Sequence, residues 1–236
     1  MQCARSAPGV KRKPPAARAS SRMTPVRAVI FDFGGVLCFH PDDARWRRAA
    51  EAAGLPVSHL MSAFWANRIP YDAGVIEPTD YWRGVLGPAF QESRLPELVR
   101  REIELWNQYD TRILAWADQL RSAGYRTAIL SNLPRPLGEE LRATPGFLDP
   151  FDHHTFSYEL RKVKPQPEIY LDAIRGVGVE PSEALFLDDR PDNVAGAQAV
   201  GMKALLYSTW ENFLADGRGH YGLPEPGFDE SVARRQ

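Results

Sequence analysis

Residues 26–35, VRAVIFDFGG, decide the expected fold of this chain. A short apolar and β-branched run ends at Asp32, and the adjacent Gly34 and Gly35 break it. This pattern predicts a buried strand that runs into a tight loop. A carboxylate directly after a buried strand is costly to desolvate unless a cation or hydrogen bonds compensate for the lost water. Asp32 is therefore the first candidate functional residue.

The same arrangement returns twice further along the chain. A strand-like run at 125–130 ends in Ser131–Asn132, and another at 184–187 ends in Asp188–Asp189. Ligands of open parallel sheets bind at the carboxyl ends of the strands. We therefore expect these polar pairs to lie beside Asp32 in one site.

The remaining periodicity predicts the fold class. Residues 41–109 have a helical pattern without any strand-like run, which predicts an all-helical cap. After this segment, strands alternate with helices of about ten to fifteen residues, which indicates βαβ units around a parallel sheet. We expect an α/β protein with a Rossmann-like, three-layer core, formed by residues 23–40 and 110–208, and an inserted helical cap. Residues 209–236 are predicted to form one helical turn followed by a loose C-terminal tail.

Composition excludes several classes of protein. The 236 residues are 44% hydrophobic, which is enough for a proper core, and no window approaches the apolar length of a membrane-spanning helix. Lys and Arg number 29 against 30 Asp and Glu, and this balance argues against a nucleic-acid-binding protein. The two cysteines form no disulfide framework and favour a reducing compartment, so we expect a cytoplasmic protein.

The first 22 residues differ from the rest of the chain. They carry six basic and no acidic side chains and are rich in Pro, Ala, Arg and Ser, which predicts a disordered basic leader. A transit peptide or a nucleic-acid-binding arm would also be basic. We prefer an over-extended start, because Met23 directly precedes the first strand-like run.

The candidate site residues predict a particular chemistry. Asp32, Asp188 and Asp189 at neighbouring strand ends would form a strongly negative, oxygen-rich pocket, whose natural occupant is Mg²⁺. Lys164 precedes the helix that leads to the Asp188 strand, and its charge could hold a phosphoryl group. Ser131 would donate its hydroxyl group to the same oxygens. A metal ion, a cation and a hydroxyl group around one carboxylate describe phosphoryl transfer through an aspartyl-phosphate.

Four segments together resemble the signature motifs of the haloacid dehalogenase-like hydrolase superfamily. They are FDFGGVL (31–37), LSN (130–132), KPQP (164–167) and FLDDRPDN (186–193), in the order in which that superfamily has them. The helical block between the first two motifs is similar to the helical cap of the superfamily's first subgroup.

One segment of the cap resembles a particular branch of that superfamily. The sequence YDAGVI (71–76), with Tyr81 and Trp82, is similar to caps of the phosphatases related to the amino-terminal domain of soluble epoxide hydrolase. A bacterial anomeric-sugar phosphatase belongs to the same branch.

The resemblance implies a role for each matching residue. Asp32 would be the nucleophile, Lys164 would neutralise the nucleophile and the substrate, and Ser131 would bind the phosphoryl oxygens. Asp189 would be the main metal carboxylate, with Asp188 beside it. Three backbone N–H groups would also bind the phosphoryl group, those of Phe33, Gly34 and Asn132, and the Gly34 carbonyl and the Asp32 carboxylate would complete the metal site. The expected partner is a small phosphorylated metabolite, bound by a monomer or homodimer that contacts neither nucleic acid nor membrane.

One position departs from the family pattern. Most phosphatases of the family have a second Asp two residues after the nucleophile, as general acid and base, and here that position is Gly34. A positioned general acid or base contributes roughly 10²–10⁴ in rate. We therefore expect a preference for good leaving groups, such as anomeric, acyl or aryl phosphates.

Two alternatives to the phosphatase remain at this stage. A 2-haloacid dehalogenase would use the same Asp32 without a metal ion, but its fourth motif would not place paired carboxylates at Asp188–Asp189. A non-catalytic binding protein of the same fold is favoured by Gly34 and by the basic leader.

Other reactive residue types are expected to be structural. Asn193 would support the loop after Asp189, and Cys38 would be a small buried apolar residue. His153 and His154 are adjacent on a strand and would point to opposite faces, which argues against a metal pair.

Overall fold

The computed structural model describes residues 24–227. The predicted basic leader (1–22), the preferred start at Met23 and the end of the predicted tail (228–236) lie outside the described residues. Within the described part of the chain, no helix has both the length and the apolar character needed to cross a membrane.

A five-stranded parallel sheet forms the centre of the molecule, in the order β3-β2-β1-β4-β5. The strands are β1 (Ala28–Phe31), β2 (Arg126–Ser131), β3 (His153–Phe156), β4 (Ala184–Asp188) and β5 (Lys203–Leu206). The predicted α/β class is confirmed. Strand β1 lies in the middle of the sheet, and its four residues are apolar and fully buried. A central parallel strand needs apolar residues on both faces, because helices cover both faces of the sheet.

The first five helices follow β1 directly in the chain. They are α1 (Asp43–Ala53), α2 (Val57–Ala66), α3 (Arg68–Asp72), α4 (Pro78–Leu86) and α5 (Leu95–Leu105), with 3₁₀ turns at Gly87–Ala89 and Glu92–Arg94. All five lie within the segment predicted as the cap, whose exact boundaries stay a prediction. Helix α1 begins where Asp42 caps the backbone N–H of Arg45 and ends at Gly54, in the left-handed conformation.

The remaining helices alternate with the strands. They are α6 (Thr111–Ser122), α7 (Arg135–Ala143), α8 (Ser157–Leu160), α9 (Pro167–Val177) and α10 (Pro191–Ala199), with a 3₁₀ turn at Pro181–Glu183. Alternate residues of β1 face two separate apolar clusters: Val29 and Phe31 face the one that reaches into the cap, and Ala28 and Ile30 face the one with α9 and α10. This arrangement produces the three predicted layers.

The helical turn predicted after β5 is present, and the chain continues in further short turns as far as it is described. It forms α11 (Trp210–Asn212), a π-helical turn (Phe213–Gly217) and α12 (Arg218–His220). The rings of Trp210 and Phe213 are buried against Trp116. Their centroids lie 6.0 and 5.0 Å, respectively, from the centroid of the Trp116 ring. Burial of two aromatic rings outweighs the polar and glycine-rich composition on which the predicted loose tail was based.

The chain is interrupted after the second cap helix. Helix α2 ends at Ala66, and after Asn67 the chain resumes as the short helix α3. Pro70, which lacks a backbone N–H, lies inside this short helix and explains why it forms a separate turn. The interruption matters because α3 carries Arg68 and Asp72 into the interior.

Candidate functional site

The carboxyl ends of the three central strands bring the predicted residues together. Strand β1 pairs with β2 on one side and with β4 on the other, so that Phe31 is level with Ile129 and with Leu187. Asp32 and Asp188 directly follow Phe31 and Leu187, and Ser131 lies two residues after Ile129. The expected convergence of Asp32 with the polar ends of β2 and β4 is therefore observed.

Three carboxylates form a cluster at this edge of the sheet. Asp32, Asp188 and Asp189 each offer an oxygen atom, and these atoms lie within 4.8 Å of one another. Gly35 makes room for the cluster: its φ is +77°, and a β-carbon there would lie 2.6 Å from Oδ2 of Asp189. A compact set of carboxylate oxygens suits a hard divalent cation, so the residues present fit a Mg²⁺ ion.

Lys164 is buried between two of these carboxylates. Its Nζ lies 2.7 Å from Oδ1 of Asp32 and 2.7 Å from Oδ2 of Asp188, and it donates to the carbonyl oxygen of Leu130 at 3.3 Å. Burial lowers the pKa of Lys164, but the two carboxylates outweigh this effect, and the pKa is raised above its ordinary value. The ammonium group therefore stays charged at the centre of the cluster.

Asp32 is buried as well, with 6% of its surface exposed. Burial raises the pKa of its carboxyl group to about 7, against the opposing charge of Lys164, and the neighbouring Asp188 and Asp189 add to the rise. A divalent cation in the cluster would favour the ionised form, because its charge adds to that of the ammonium group.

Asp188 is held by donors on both of its oxygens. Besides Lys164, it accepts from the backbone N–H of Arg190 at 2.8 Å and from Nδ2 of Asn193 at 3.0 Å. Asn193 therefore supports the loop as predicted. Asp189 is less buried than Asp188 and lines the cavity directly.

Asn132 positions Lys164 through its side chain. Its Oδ1 accepts from the backbone N–H of Lys164 at 2.8 Å, and its Nδ2 donates to the carbonyl oxygen of Lys164 at 3.1 Å. From the sequence, only the backbone N–H of Asn132 was expected to contact the substrate. Ser131, which is 2% exposed, lines the same cavity.

The loop after β1 places the remaining predicted residues. Phe33 and Gly34 line the cavity, but the N–H of Phe33 donates to Oδ1 of Asp32 at 2.7 Å rather than pointing to an open phosphoryl position. Gly34 lies beneath an indole ring: a β-carbon on Gly34 would be 3.2 Å from Cζ3 of Trp106.

A single cavity of about 690 Å³ opens above these residues, between the strand ends and the cap. Its polar end contains the carboxylate cluster and Lys164. The rest of its lining combines charged residues, among them Arg190 and Asp192, with apolar side chains, which are those of Trp65, Ile69, Trp106, Leu133, Leu137 and Val163. The volume is typical of a site for a small organic ligand.

His40 belongs to the site and was not predicted. Its Nε2 lies 3.0 Å from Oδ2 of Asp189, and it lines the cavity. This hydrogen bond raises the pKa of His40, against the effect of burial. No spacing rule in the sequence links the two residues, which are 149 positions apart.

A buried ionic network in the cap was also not predicted. Arg68 donates through Nε to Oδ1 of Asp72 at 2.7 Å and through Nη1 to Oε1 of Glu102 at 2.6 Å. The hydroxyl group of Tyr71 donates to the other oxygen of Glu102 at 3.0 Å. Arg68 and Asp72 line the cavity from the cap side. Pro70, which marks the separate helix α3, is the signal that could have drawn attention to them.

The other reactive residue types are structural. The thiol of Cys38 is buried and donates to the carbonyl oxygen of Trp106 at 3.2 Å, and burial raises its pKa to about 12. Such a thiol is not a nucleophile near neutral pH. His153 lies 3.4 Å from Asp172, and burial lowers the pKa of His154.

Comparison with known proteins identifies the family of the chain. The haloacid dehalogenase-like hydrolase family matches residues 26–201. Sesquiterpene phosphatase astK of Aspergillus oryzae is 26% identical over 182 residues, which cover 77% of this chain and 90% of astK. Bifunctional epoxide hydrolase 2 of Mus musculus is 24% identical over 203 residues, which cover 77% of this chain but only 36% of that protein.

The fold of a solved structure is similar as well. A HAD-family enzyme from Bacteroides thetaiotaomicron, in complex with magnesium and inorganic phosphate, superimposes with a TM-score of 0.63 at 22% identity. The similarity covers 89% of this chain and 100% of that one. With a family match over most of its length, and with the four motifs at neighbouring strand ends, this chain belongs to the haloacid dehalogenase-like hydrolases.

Proposed function

We propose that this protein is a Mg²⁺-dependent phosphomonoesterase that hydrolyses a small phosphorylated metabolite through an aspartyl-phosphate on Asp32. One observation carries the proposal: the buried carboxylate of Asp32 lies 2.7 Å from Nζ of Lys164 and in one oxygen cluster with Asp188 and Asp189. Phosphatase names among the relatives, such as that of astK, support the same reaction class.

The reaction would proceed in two displacements. A carboxylate oxygen of Asp32 attacks phosphorus, the bond from phosphorus to the ester oxygen breaks, and the leaving group departs with that oxygen as an anion, which takes a proton from solvent. Water then attacks the phosphorus of the aspartyl-phosphate, which releases inorganic phosphate and restores the carboxylate. Lys164 compensates negative charge in both steps, and Ser131 faces the same space from β2.

The three carboxylates, together with the backbone carbonyl of Gly34, would hold Mg²⁺. When bound, the ion supplies positive charge to the phosphoryl oxygens and reduces their repulsion of the Asp32 carboxylate. His40, which is hydrogen-bonded to Asp189, would orient that ligand from outside.

Gly34 leaves the departing alcohol without a proton donor at the family's usual position. Leaving groups that are stable as anions are therefore favoured, such as anomeric, acyl or aryl phosphates. A small metabolite as partner, a monomeric or homodimeric state without nucleic acid or membrane, and a cytoplasmic location are parts of the same proposal.

The test is release of inorganic phosphate from p-nitrophenyl phosphate. We expect activity that depends on Mg²⁺, disappears in EDTA, and is lost in Asp32→Asn. Asp80→Asn is the matched control, because Asp80 is exposed and bonded to Arg83 on the outside of the cap. Full activity in Asp32→Asn would contradict the nucleophile. Chloride release from 2-chloropropionate without Mg²⁺ would favour the dehalogenase, and inactivity on all phosphates would favour the binding protein.

A further inference from the structure

The cavity extends well beyond the space that a phosphoryl group needs. Of its roughly 690 Å³, only the polar end faces the carboxylate cluster, and the remainder lies between the cap and the core. Whatever alcohol is esterified to the phosphate must occupy this second half. The residues that line this half therefore indicate whether the leaving group is polar or apolar.

Two large apolar side chains of the cap stand exposed at this half. The fractional exposure is 48% for Trp65 and 70% for Ile69, and both line the cavity. Exposed apolar groups at a concave site are typical of surfaces that a ligand covers. Both residues lie on the same side of the cap, where α2 gives way to α3.

Trp65 and Trp106 form two walls of one corner. Their ring centroids are 6.4 Å apart and their planes are inclined at 80°. A flat or extended hydrocarbon skeleton can lie on the face of one ring and against the edge of the other. Leu133, Leu137 and Val163 complete the apolar lining from the core.

The cap side of this corner offers little to a second anion. The arginine that the cap contributes to the lining is Arg68, and its guanidinium group is already bonded to the carboxylates of Asp72 and Glu102, whereas Arg190 lines the cavity from the core. The carboxylate of Asp72 itself lines the cavity, so the local charge disfavours an additional phosphate or carboxylate on the substrate.

We propose that the substrate is the phosphomonoester of an apolar alcohol, whose carbon skeleton is bound by Trp65 and Ile69. This inference rests on the proposed phosphatase function and narrows its substrates to apolar esters. An anomeric sugar phosphate would place hydroxyl groups against the apolar corner, and a bisphosphate would also bring its second charge near the carboxylate of Asp72. An aromatic alcohol and an isoprenoid alcohol share the required chemistry.

The experiment compares kcat/KM for esters that differ in polarity but have similar leaving groups. The aryl pair is 1-naphthyl phosphate against 4-carboxyphenyl phosphate, and the alkyl pair is geranyl phosphate against glycerol 3-phosphate. Acetyl phosphate serves as the baseline, because its acyl group has only one methyl group and therefore little apolar surface to bury. In at least one pair, we expect kcat/KM to be about tenfold or more higher for the apolar ester than for the polar one. The pair with the larger difference shows whether the alcohol is aromatic or isoprenoid.

Substitutions at the corner test whether Trp65 and Ile69 cause the preference for apolar esters. We expect Trp65→Ala and Ile69→Ala to lower kcat/KM for the apolar ester about tenfold, chiefly through KM, and to lower kcat/KM for acetyl phosphate much less. Trp65→Phe should restore most of the loss. Val75→Ala is the matched control, since Val75 is an exposed apolar residue of the cap, at 65%, that does not line the cavity.

The outcomes separate the two proposals. Hydrolysis of acetyl phosphate without preference for either apolar ester would overturn the substrate class and leave the phosphatase intact. Equal losses on acetyl phosphate and the apolar ester in Trp65→Ala would overturn the role of the corner. Absence of hydrolysis of every ester with Mg²⁺ present would overturn the phosphatase, and the substrate class with it.

Discussion

The indole ring of Trp106 lies against the α-carbon of Gly34, so closely that a β-carbon on Gly34 would be 3.2 Å from its Cζ3. Gly34 has no left-handed backbone that would demand glycine. The ring, supplied from the end of the cap, thus occupies the space into which an acidic side chain would have to extend. Glycine at the position of the family's second Asp and the indole ring of Trp106 are therefore parts of one packing arrangement.

This relationship predicts that Gly34→Asp alone does not create a general acid. The ring must move by a few tenths of an ångström to admit even a β-carbon, so we expect reduced activity on all esters. In a Trp106→Leu background, Gly34→Asp should raise turnover of an alkyl phosphate relative to Trp106→Leu alone, by up to roughly 10²-fold. The measurement is kcat with glycerol 3-phosphate and with p-nitrophenyl phosphate. Gly34→Asn in the same background is the control, because Asn has the shape of Asp but cannot act as a general acid. An equal gain in turnover with Gly34→Asn would contradict general-acid catalysis by Asp at this position.

Lys164 is expected to stabilise the folded protein as well as the reaction. Lys164→Met leaves the buried carboxylates of Asp32 and Asp188 without their shared cation, which costs about 3–5 kcal/mol in the free energy of unfolding. Urea unfolding in EDTA measures this cost. Lys162→Met is the control, because the ion pair of Lys162 with Glu168 is exposed and is worth about 1 kcal/mol or less. Similar effects of both substitutions would contradict the buried arrangement.

Asp72 is expected to make stability depend on pH. Burial raises the pKa of its carboxyl group from 3.8 to about 6, against the charge of Arg68, while Glu102 adds to the rise and Lys164 opposes it. The folded chain therefore holds this proton more tightly than the unfolded chain. The resulting stability is fully present below pH 3.8 and is lost as the pH rises through about 6.

The measurement is the free energy of unfolding of the wild type and of Asp72→Asn across this range. The wild type should lose up to about 1.4 kcal/mol per pH unit more than the variant does. The result is read from the slope of the unfolding free energy against pH. Its absolute value is not compared, because the variant also loses the ion pair with Arg68. Parallel curves for the two proteins would show that Asp72 does not titrate in this window.

Asp189 is expected to dominate the affinity for Mg²⁺, because Asp188 is already bonded to Lys164 and Asn193. Bound ligand stabilises the fold by about 2.7 kcal/mol at a concentration of one hundred times Kd, which raises Tm. Asp189→Asn should abolish most of this rise, in the absence of any substrate. Asp118→Asn, which changes an exposed carboxylate on α6, should keep it. A full Mg²⁺-dependent rise in Asp189→Asn would place the ion elsewhere.

The sequence predicted the strand ends because their signal is local. Apolar runs that stop at Asp32, at Ser131 and at Asp188 are visible in a few residues each, and the rule that parallel strands end at one edge brings them together. The alternation of strands and helices likewise predicted the layers. The burial of Trp210 and Phe213 on Trp116 after β5 was not predicted, because it depends on a partner that is distant in the sequence.

The amino-acid sequence by itself determined the α/β class, the order of the elements and the set of residues at the carboxylate cluster. Only the tertiary structure decided that Trp106 covers Gly34, that His40 reaches Asp189, and that Arg68 is shared between Asp72 and Glu102. These contacts join residues from different elements, and they depend on how the cap packs on the sheet. Local periodicity contains no information about that docking, because the docking is set by side-chain shape and buried charge across the whole interface.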